Sequence, residues 1–215
     1  MCGPETGGLP DTDEYVLDTP TVRSFVAAVR EIISRARSPE EAVVELRPVF
    51  SELLANDQWL PEEYRSPVPE SGMGGGIGQW LLFRSAERDL SLFALVVPPG
   101  AATPVHDHLA WGLVGLYRGE QEESVYDAGA DAGEGQELSV RLRRTVEQGD
   151  LYPLLPPRDD VHRVRTTSSE TSVSIHLLAN DTGCIWRHSY DPETGTISPF
   201  RSGYANRPCA SDYGR

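Results

Sequence analysis

Residues 79–100, QWLLFRSAERDLSLFALVVPPG, mark the point at which the character of the chain changes. Two apolar runs, residues 80–83 and 90–97, are separated by a polar stretch and closed by the turn sequence Pro98-Pro99-Gly100. Short apolar runs bounded by turn signals are typical of β-strands. This stretch therefore predicts that the chain is built from strands from about Gln79 onwards.

The same pattern continues towards the C-terminus. Val173, Ile175 and Leu177 recur at every second position, which places them on one face of a strand. Many short strands at regular spacing favour a closed or double-sheet β-barrel. Further strand-like runs occupy residues 111–117, 137–146, 161–166, 171–178 and 185–190, and a turn-rich loop runs from Gly129 to Gly135.

The part of the chain before the strands has a helical pattern. Thr19-Pro20 begins an amphipathic helix that continues to about Arg37, and Ser38-Pro39-Glu40-Glu41 is a capping box for a second helix. Pro48 predicts a kink or a break in that second helix. We expect a disordered acidic N-terminus over residues 1–18, then a single domain over 19–215 with a helical part at 19–70 and a β-barrel at 79–207.

Charge and cysteine content narrow the class of protein. The 215 residues include 19 Lys plus Arg against 33 Asp plus Glu, a formal net charge of −14, which argues against nucleic-acid partners and anionic membranes. The longest apolar runs are too short to span a membrane, and residues 1–18 lack the pattern of a signal peptide. Three widely spaced cysteines, Cys2, Cys184 and Cys209, argue against a disulfide framework. We therefore predict a cytoplasmic protein.

Three histidines carry the strongest chemical signal in the sequence. His106 and His108 share one face of an extended segment, roughly 6–7 Å apart along the chain, and His162 lies on a later predicted strand. Three imidazoles can occupy adjacent corners of a metal's coordination shell and leave the others open, which is typical of a catalytic site. The alternatives are ordinary loop histidines at 106 and 108 and a core histidine at 162.

Three separated motifs resemble those of a known family. They are His106-Asp107-His108-Leu109-Ala110-Trp111-Gly112-Leu113, Asp160-Val161-His162-Arg163-Val164 and Ser172-Val173-Ser174-Ile175-His176. Together with the tail from Phe200 to Asn206, they resemble the thiol dioxygenases, the cupin family that includes cysteine dioxygenase and 3-mercaptopropionate dioxygenase, and most of all its bacterial 3-mercaptopropionate branch. The likeness spans roughly residues 79–207. It implies a mainly β fold, the cupin double-stranded β-helix or jelly-roll barrel, with the N-terminal helices packed outside.

The resemblance also implies roles for individual residues. His106, His108 and His162 would bind Fe(II) without the carboxylate ligand found in many cupins, since residues 109–113 contain no acid. Ser174 would orient His176, and both would stand beside the iron as catalytic residues. Arg187 and Gln79 would bind the substrate carboxylate, and Arg84 would do so if recognition followed cysteine dioxygenase.

One position departs from the family pattern. Leu178 stands where the family has a tyrosine, so it can donate no hydrogen bond to His176 or to a ligand. We expect its side chain to face the metal pocket, and the alternative is a core leucine. The matching alternatives are a core imidazole for His176 and an exposed strand arginine for Arg187.

The resemblance predicts an iron-dependent dioxygenase that converts a small thiol-carboxylic acid to its sulfinic acid with O2. Its partners would be the thiol and O2 alone, and the chain would be a monomer or a weak homo-oligomer. Two other functions stay open on sequence grounds. One is another three-histidine cupin metalloenzyme, such as a C–C-cleaving dioxygenase or an isomerase, and the other is a non-catalytic cupin that binds a small ligand.

Overall fold

Two layers of antiparallel β-sheet form the body of the protein, and two helices cover one of them. The structure is a computed structural model that describes residues 12–127 and 138–209. The helices are α1 (Pro20–Arg35) and α2 (Pro39–Ala55), followed by a short 3₁₀ helix at Glu62–Arg65. The strands are β1 (Glu14–Tyr15), β2 (Gly78–Arg84), β3 (Ser91–Val97), β4 (Val105–His106), β5 (Gly112–Arg118), β6 (Gln121–Asp127), β7 (Ser139–Val146), β8 (Leu151–Leu154), β9 (His162–Thr166), β10 (Ser172–Leu178), β11 (Arg187–Tyr190) and β12 (Ile197–Phe200).

The strands divide equally between two six-stranded sheets. The first has the order β1-β2-β3-β10-β5-β8 and the second the order β12-β11-β4-β9-β6-β7. All strand pairs are antiparallel. The predicted mainly β, double-sheet architecture with helices packed outside is confirmed.

Strand β10 explains how the sheets and helices are layered. Its residues Val173, Ile175 and Leu177 belong to the core that also contains the buried faces of α1 and α2. Leu178 lies on the opposite face, in a second core that includes Phe93 and fills the space between the sheets. Side chains alternate along a strand. One face of β10 therefore packs against the helical layer, and its other face packs into the interior between the sheets.

The helices begin as the sequence predicts. Thr19 and Ser38 cap α1 and α2, and their hydroxyl oxygens accept from the backbone N–H of Val22 and Glu41 at 3.3 Å in each case. The predicted break at Pro48 does not occur, since one helix runs through it. Pro48 is exposed, so its ring is directed to solvent while buried residues on the opposite face hold the helix to the sheet.

Helix α2 lies close to the sheet because β5 carries a glycine beneath it. A Cβ atom at Gly115 would be 2.4 Å from Cδ1 of Leu54 in α2. A larger residue at this position would therefore collide with the ends of the Leu54 and Leu151 side chains, which would have to move. Among the described residues, no helix has both the length and the apolar content needed to cross a bilayer.

The N-terminal segment differs from the sequence prediction. Disorder was expected as far as residue 18, yet Glu14 and Tyr15 form β1 and pair with Arg84 and Phe83. The Tyr15 ring packs on the Phe83 ring at 4.8 Å between centroids, and the Glu14 carboxylate accepts from Arg84 at 2.6 Å. These contacts give the segment enough burial and pairing to order it. Residues 1–11, the rest of that prediction, and the loop predicted at 129–135 lie outside the described residues.

A disulfide between Cys184 and Cys209 also contradicts the sequence prediction. The tail after β12 returns along the loop before β11, where the Gly203 N–H donates to the Gly183 carbonyl at 2.9 Å. This return brings the two Cα atoms to 5.2 Å, within the range that a disulfide spans. Sequence spacing alone gave no sign of it, because the pairing depends on the path of the tail.

Candidate metal centre

The three predicted metal ligands lie together between the sheets. His106 on β4 pairs directly with His162 on β9, and His108 follows two residues after His106. One nitrogen from each histidine lies within 4.8 Å of the others. All three side chains are buried. We refer to these three residues as the histidine cluster.

A hydrogen bond fixes the orientation of each ring in the histidine cluster. Nδ1 of His106 is 2.9 Å from the Pro104 carbonyl oxygen, and Nδ1 of His108 is 3.2 Å from Asp160 Oδ1. Nδ1 of His162 is 2.8 Å from Glu123 Oε1. Carbonyl oxygens and ionised carboxylates accept hydrogen bonds but cannot donate them. Each Nδ1 must therefore be the donor and carry the proton. The lone pair of each ring is then on Nε2, as a metal ligand requires.

The cluster also leaves a buried polar atom without a protein partner. His162 Nε2 is buried and makes no hydrogen bond in the structure. A buried polar atom of this kind is costly unless something binds to it. Three imidazoles whose Nδ1 atoms are hydrogen-bonded keep Nε2 available, and such a set fits a divalent transition metal such as iron.

Burial keeps the imidazoles in the form that binds metal. The pKa of His106 and of His108 is held well below its ordinary value, first by burial and then by the positive charges nearby, including Arg187. Both rings are therefore neutral at pH 7. A neutral ring offers a free lone pair, whereas a protonated one does not.

Two acidic residues support the cluster from behind, and sequence reasoning missed both in this role. Asp160 accepts from the backbone N–H of His108 at 2.8 Å and of Leu109 at 3.1 Å; burial outweighs these bonds and raises its pKa. Burial favours the neutral form of Glu123, but the hydrogen bonds from His162 and Arg144 favour the carboxylate more strongly. The net effect is a pKa below the ordinary value for Glu123. Carboxylates that hold a ligand histidine tune its basicity as well as its orientation.

The residue between the first two histidines points away from the cluster. The Asp107 carboxylate accepts from the His188 backbone N–H at 2.8 Å and lies 2.6 Å from His188 Nδ1. It also accepts from the Tyr190 hydroxyl at 3.2 Å. Asp107 thus ties β11 to the histidine segment, and it gives His188 the partner that the sequence pattern did not reveal.

Ser174 and His176 form a hydrogen-bonded pair beside the cluster. Ser174 Oγ lies 3.0 Å from His176 Nε2, and the His176 ring stacks on Phe93 with 4.7 Å between centroids. The centroid of His176 is 6.5 Å from that of His108. His176 Nδ1 is buried with no hydrogen-bond partner. Leu178 is fully buried in the core between the sheets and offers that nitrogen no donor or acceptor.

Arg187 is buried beside the cluster, which contradicts the alternative of an exposed strand arginine. Its guanidinium donates to the carbonyl of Asp107, to the carbonyl of Thr182 at 3.1 Å and to the hydroxyl of Ser202 at 2.9 Å. All three acceptors are neutral. Burial lowers the pKa of Arg187 to about 10, so it is still charged at pH 7. The site therefore contains a buried cation whose direct partners carry no charge.

Gln79 faces the same interior. It pairs with Leu95 on β3, which in turn pairs with Ser174 on β10, and residues directly opposite each other share a face of the sheet. The side-chain oxygen and nitrogen of Gln79 are buried and make no hydrogen bond. An amide in this state is ready to bind a polar ligand.

One other predicted residue, Arg84, already has charged partners. Arg84 pairs with Glu14 at 2.6 Å and with Asp181 at 3.5 Å, so its charge is used at the edge of the first sheet. Recognition of the cysteine dioxygenase type through Arg84 is therefore disfavoured, because its charge is already paired.

Sequence reasoning also missed Tyr152. Its ring centroid is 6.3 Å from that of His162, and the Arg144 guanidinium lies over the ring at 4.5 Å. The hydroxyl is buried without a partner, and burial raises its pKa well above the ordinary value. Tyr152 was missed because it lies on β8, a strand that the sequence pattern did not predict.

Comparison with known proteins gives matches of low similarity. No protein-family model matches the chain. A Klebsiella pneumoniae protein with a double-stranded β-helix domain is 13% identical over 65% of this chain and 93% of its own, with a TM-score of 0.42. The Schizosaccharomyces pombe Cnp3 cupin domain is 16% identical over 54% of this chain and 68% of its own, with a TM-score of 0.39. An oxalate oxidase is 19% identical over 44% of this chain and 43% of its own, with a TM-score of 0.35.

The chain therefore spans less than half of that oxalate oxidase. Each of these likenesses concerns the fold and says nothing of the reaction. The function must be argued from the residues of this chain.

Proposed function

We propose that this protein is a non-haem Fe(II) dioxygenase that oxidises a small thiol-carboxylic acid, similar to 3-mercaptopropionate or cysteine, to its sulfinic acid. The observation that carries the proposal is the histidine cluster, in which each Nδ1 has an acceptor and the three available nitrogens lie within 4.8 Å of one another. The overall reaction balances as one thiol plus one O2 to one sulfinic acid. It needs no reductant and no organic cofactor.

His106, His108 and His162 would hold the metal. Fe(II), when bound, supplies a Lewis acid for the thiol and a redox centre for dioxygen. Since the three ligands are neutral, they leave the charge of the ion uncompensated, which favours an anionic ligand such as a thiolate. The proposed ligand set contains no carboxylate, because Asp160 and Glu123 contact the Nδ1 side of the rings.

The remaining residues would bind and orient the substrate. Arg187 supplies a buried positive charge, and the amide of Gln79 supplies an uncommitted donor. Both are suited to a carboxylate, which is costly to bury without such partners. Phe93 and Leu178 supply apolar walls that exclude water, and Ser174 holds the His176 ring against Phe93.

The proposal is tested by metal analysis and oxygen uptake. Purified protein is loaded anaerobically with Fe(II) and assayed with 3-mercaptopropionate, cysteine, mercaptosuccinate and cysteamine. We expect one O2 consumed per thiol and a sulfinic acid identified by mass spectrometry. Bound iron without thiol-dependent uptake would favour another three-histidine metalloenzyme. Failure to bind a divalent metal would favour a non-catalytic binding protein.

A variant of the cluster makes the metal test specific. His162→Ala removes one of three ligands, and we expect Fe(II) binding to weaken more than about 100-fold, since even loss of a residue behind a ligand costs 10- to 100-fold. His188→Ala is the control, because that ring is half-exposed and bonds to Asp107. Full iron retention in His162→Ala would contradict the assignment of the ligands.

Substrate charge provides a second, independent test. Arg187→Ala should lower kcat/KM for acidic thiols by about 30- to 1000-fold, because a charge-assisted bond is worth about 2–4 kcal/mol. The neutral thiol cysteamine should lose far less. The ratio between acidic and neutral thiols is measured within one variant, so a general loss of folded protein leaves it unchanged. An unchanged ratio would place Arg187 outside substrate recognition.

A further inference from the structure

The disulfide joins the loop before β11 to the C-terminal tail, and its two sulfurs differ in their surroundings. Cys184 is buried, with 1% of its surface exposed, whereas Cys209 is only partly buried. The bond joins residues 25 positions apart and closes a segment that contains Arg187 and the whole of β12. A thiol from solvent therefore reaches the sulfur of Cys209 before that of Cys184.

The buried sulfur lies beside positive charge. Nη1 of Arg84 is 3.9 Å from Cys184 Sγ, and Arg84 and Arg88 both pair with Asp181. Glu14 pairs with Arg84 and with Arg207. The Arg84 guanidinium is therefore placed to donate to a Cys184 thiolate. Such surroundings stabilise a thiolate and make the sulfur a good leaving group.

We propose that the Cys184–Cys209 disulfide is a site of thiol–disulfide exchange with small thiols. A thiolate attacks Cys209 Sγ, the bond between the two protein sulfurs breaks, and Cys184 leaves as a thiolate beside Arg84. A second thiolate then attacks the outer sulfur of the mixed disulfide and releases Cys209. In sum, two thiols are oxidised to one small disulfide, and the protein disulfide is reduced to two cysteines.

The exchange would reach the candidate metal centre through the tail. Ser202 accepts from Arg187 at 2.9 Å, and the ring of Phe200 lies 4.5 Å from the Arg187 guanidinium carbon and 5.8 Å from the ring of His106. The N–H of Ala205 donates to the Gln79 carbonyl at 2.8 Å. Opening the bridge removes one anchor of a segment that contacts Arg187 and the backbone of Gln79. Asn206, which bonds the backbone of Leu81, and Arg207, which bonds Glu14, are the other anchors. The exchange itself needs no metal and is independent of the proposed reaction.

The test uses the full chain with a chelator present, so dioxygenase activity plays no part in it. Air-oxidised protein is incubated with 3-mercaptopropionate or glutathione, trapped with iodoacetamide and mapped by mass spectrometry. The chain has three cysteines, so we expect one free thiol before treatment and three after complete exchange. The trapped mixed disulfide should be found on Cys209 at least ten times more often than on Cys184.

Hydrogen exchange then tests the link to the site. Amides of residues 197–207 should exchange several-fold faster after treatment, while those of α1 keep their rate. Cys209→Ser should show the faster tail without any thiol and should form no adduct at that position, and Cys2→Ser should behave as the wild type. Cys184→Ser provides a second variant that lacks the bridge, and its tail should exchange as in Cys209→Ser.

Four results would overturn the proposal. They are three free thiols in the air-oxidised protein, a bridge that resists a hundredfold excess of thiol, an adduct mainly on Cys184, or a tail whose exchange is the same with and without the bridge. None of them bears on metal binding or oxygen uptake. A failure here is therefore distinguishable from a failure of the proposed dioxygenase function.

Discussion

Two buried polar clusters lie close together in this protein, and they differ in how completely their atoms are bonded. In the cluster around Asp181, one carboxylate oxygen accepts from the Tyr204 hydroxyl at 2.8 Å and the other from Arg88 at 3.1 Å and Arg84 at 3.5 Å. Around the histidine cluster, by contrast, His162 Nε2, His176 Nδ1 and the Gln79 amide make no hydrogen bond.

The difference distinguishes structural polarity from functional polarity. A buried polar group without a partner destabilises the fold by about 1–3 kcal/mol, so several of them close together favour a bound metal ion, ligand or water that completes their bonds. Both oxygens of the Asp181 carboxylate are already bonded, so this carboxylate needs no such ligand. We expect its variants to affect folding, and those of the histidine cluster to affect binding.

The largest effect should come from removing the central carboxylate of the structural cluster. Asp181→Ala leaves Arg84 and Arg88 without their shared buried partner and should lower the free energy of unfolding by about 3–5 kcal/mol. Urea denaturation measures it. Glu170→Ala is the matched control, because its pair with Arg118 is exposed and such pairs contribute about 0–1 kcal/mol. Equal effects of the two substitutions would contradict the comparison.

Three buried histidines, His106, His108 and His176, should dominate the pH dependence of the stability of the metal-free protein. Burial holds the pKa of His106, His108 and His176 below the ordinary value, so the unfolded chain binds more protons than the folded chain below about pH 6.5. Stability is thus complete above that pH and falls as the pH drops towards the folded-state pKa values, by at most about 4 kcal/mol per pH unit for three groups.

Urea denaturation at pH 7.5, 6.5 and 5.5 with a chelator measures this slope. His176→Phe keeps the ring stacking and removes one of the three titrations, so its slope should be smaller by about one third. A slope unchanged in that variant would show that His176 does not contribute.

A smaller effect should follow from loosening one ligand from behind. Glu123→Gln keeps the shape but removes the charge that holds His162 and pairs with Arg144, so metal affinity should fall about 10- to 100-fold. Glu122→Gln, on the neighbouring and more exposed side chain, is the control. Competition with a metal-binding dye measures both, and equal affinities would contradict a supporting role for Glu123.

The smallest effect should come from the hydrogen bond inside the Ser174–His176 pair. Ser174→Ala removes one neutral bond and should lower the free energy of unfolding by about 0.5–1.5 kcal/mol. Imidazole nitrogen chemical shifts should change for His176 and stay the same for His188, which serves as the internal control. An unchanged His176 signal would mean that the serine does not set its tautomer.

The fold and the histidine cluster could be predicted from the sequence because each depends on a pattern that repeats every two residues. Alternation along β10 predicted that Val173, Ile175 and Leu177 share one face of a strand, and the two-residue spacing of His106 and His108 placed both rings on one side. The supporting acids did not follow. Strand β6 reads QEESVYD, a pattern that favours an exposed loop, and Glu123 is buried only because His162 and Arg144 reach it from other strands.

Other misses have the same origin. Strands β8 and β12 each contain a proline, which argues against a strand in local terms. The pairing of Cys184 with Cys209, and that of Glu14 with Arg84, depend on where distant segments return. Local patterns predict the elements, and contacts between elements far apart in sequence decide the rest.

Strand β10 has a consequence for anyone who engineers this protein. Val173, Ile175 and Leu177 are in contact with the helical layer, and the residues between them face the interior between the sheets, so the two surfaces share one backbone. Substitutions in α1 or α2 that improve thermal tolerance will therefore move the backbone of β10 and, with it, the Ser174–His176 pair, although neither residue is replaced. Libraries that vary the helices should be screened for substrate preference and heat resistance together, since both properties depend on the seven residues of β10.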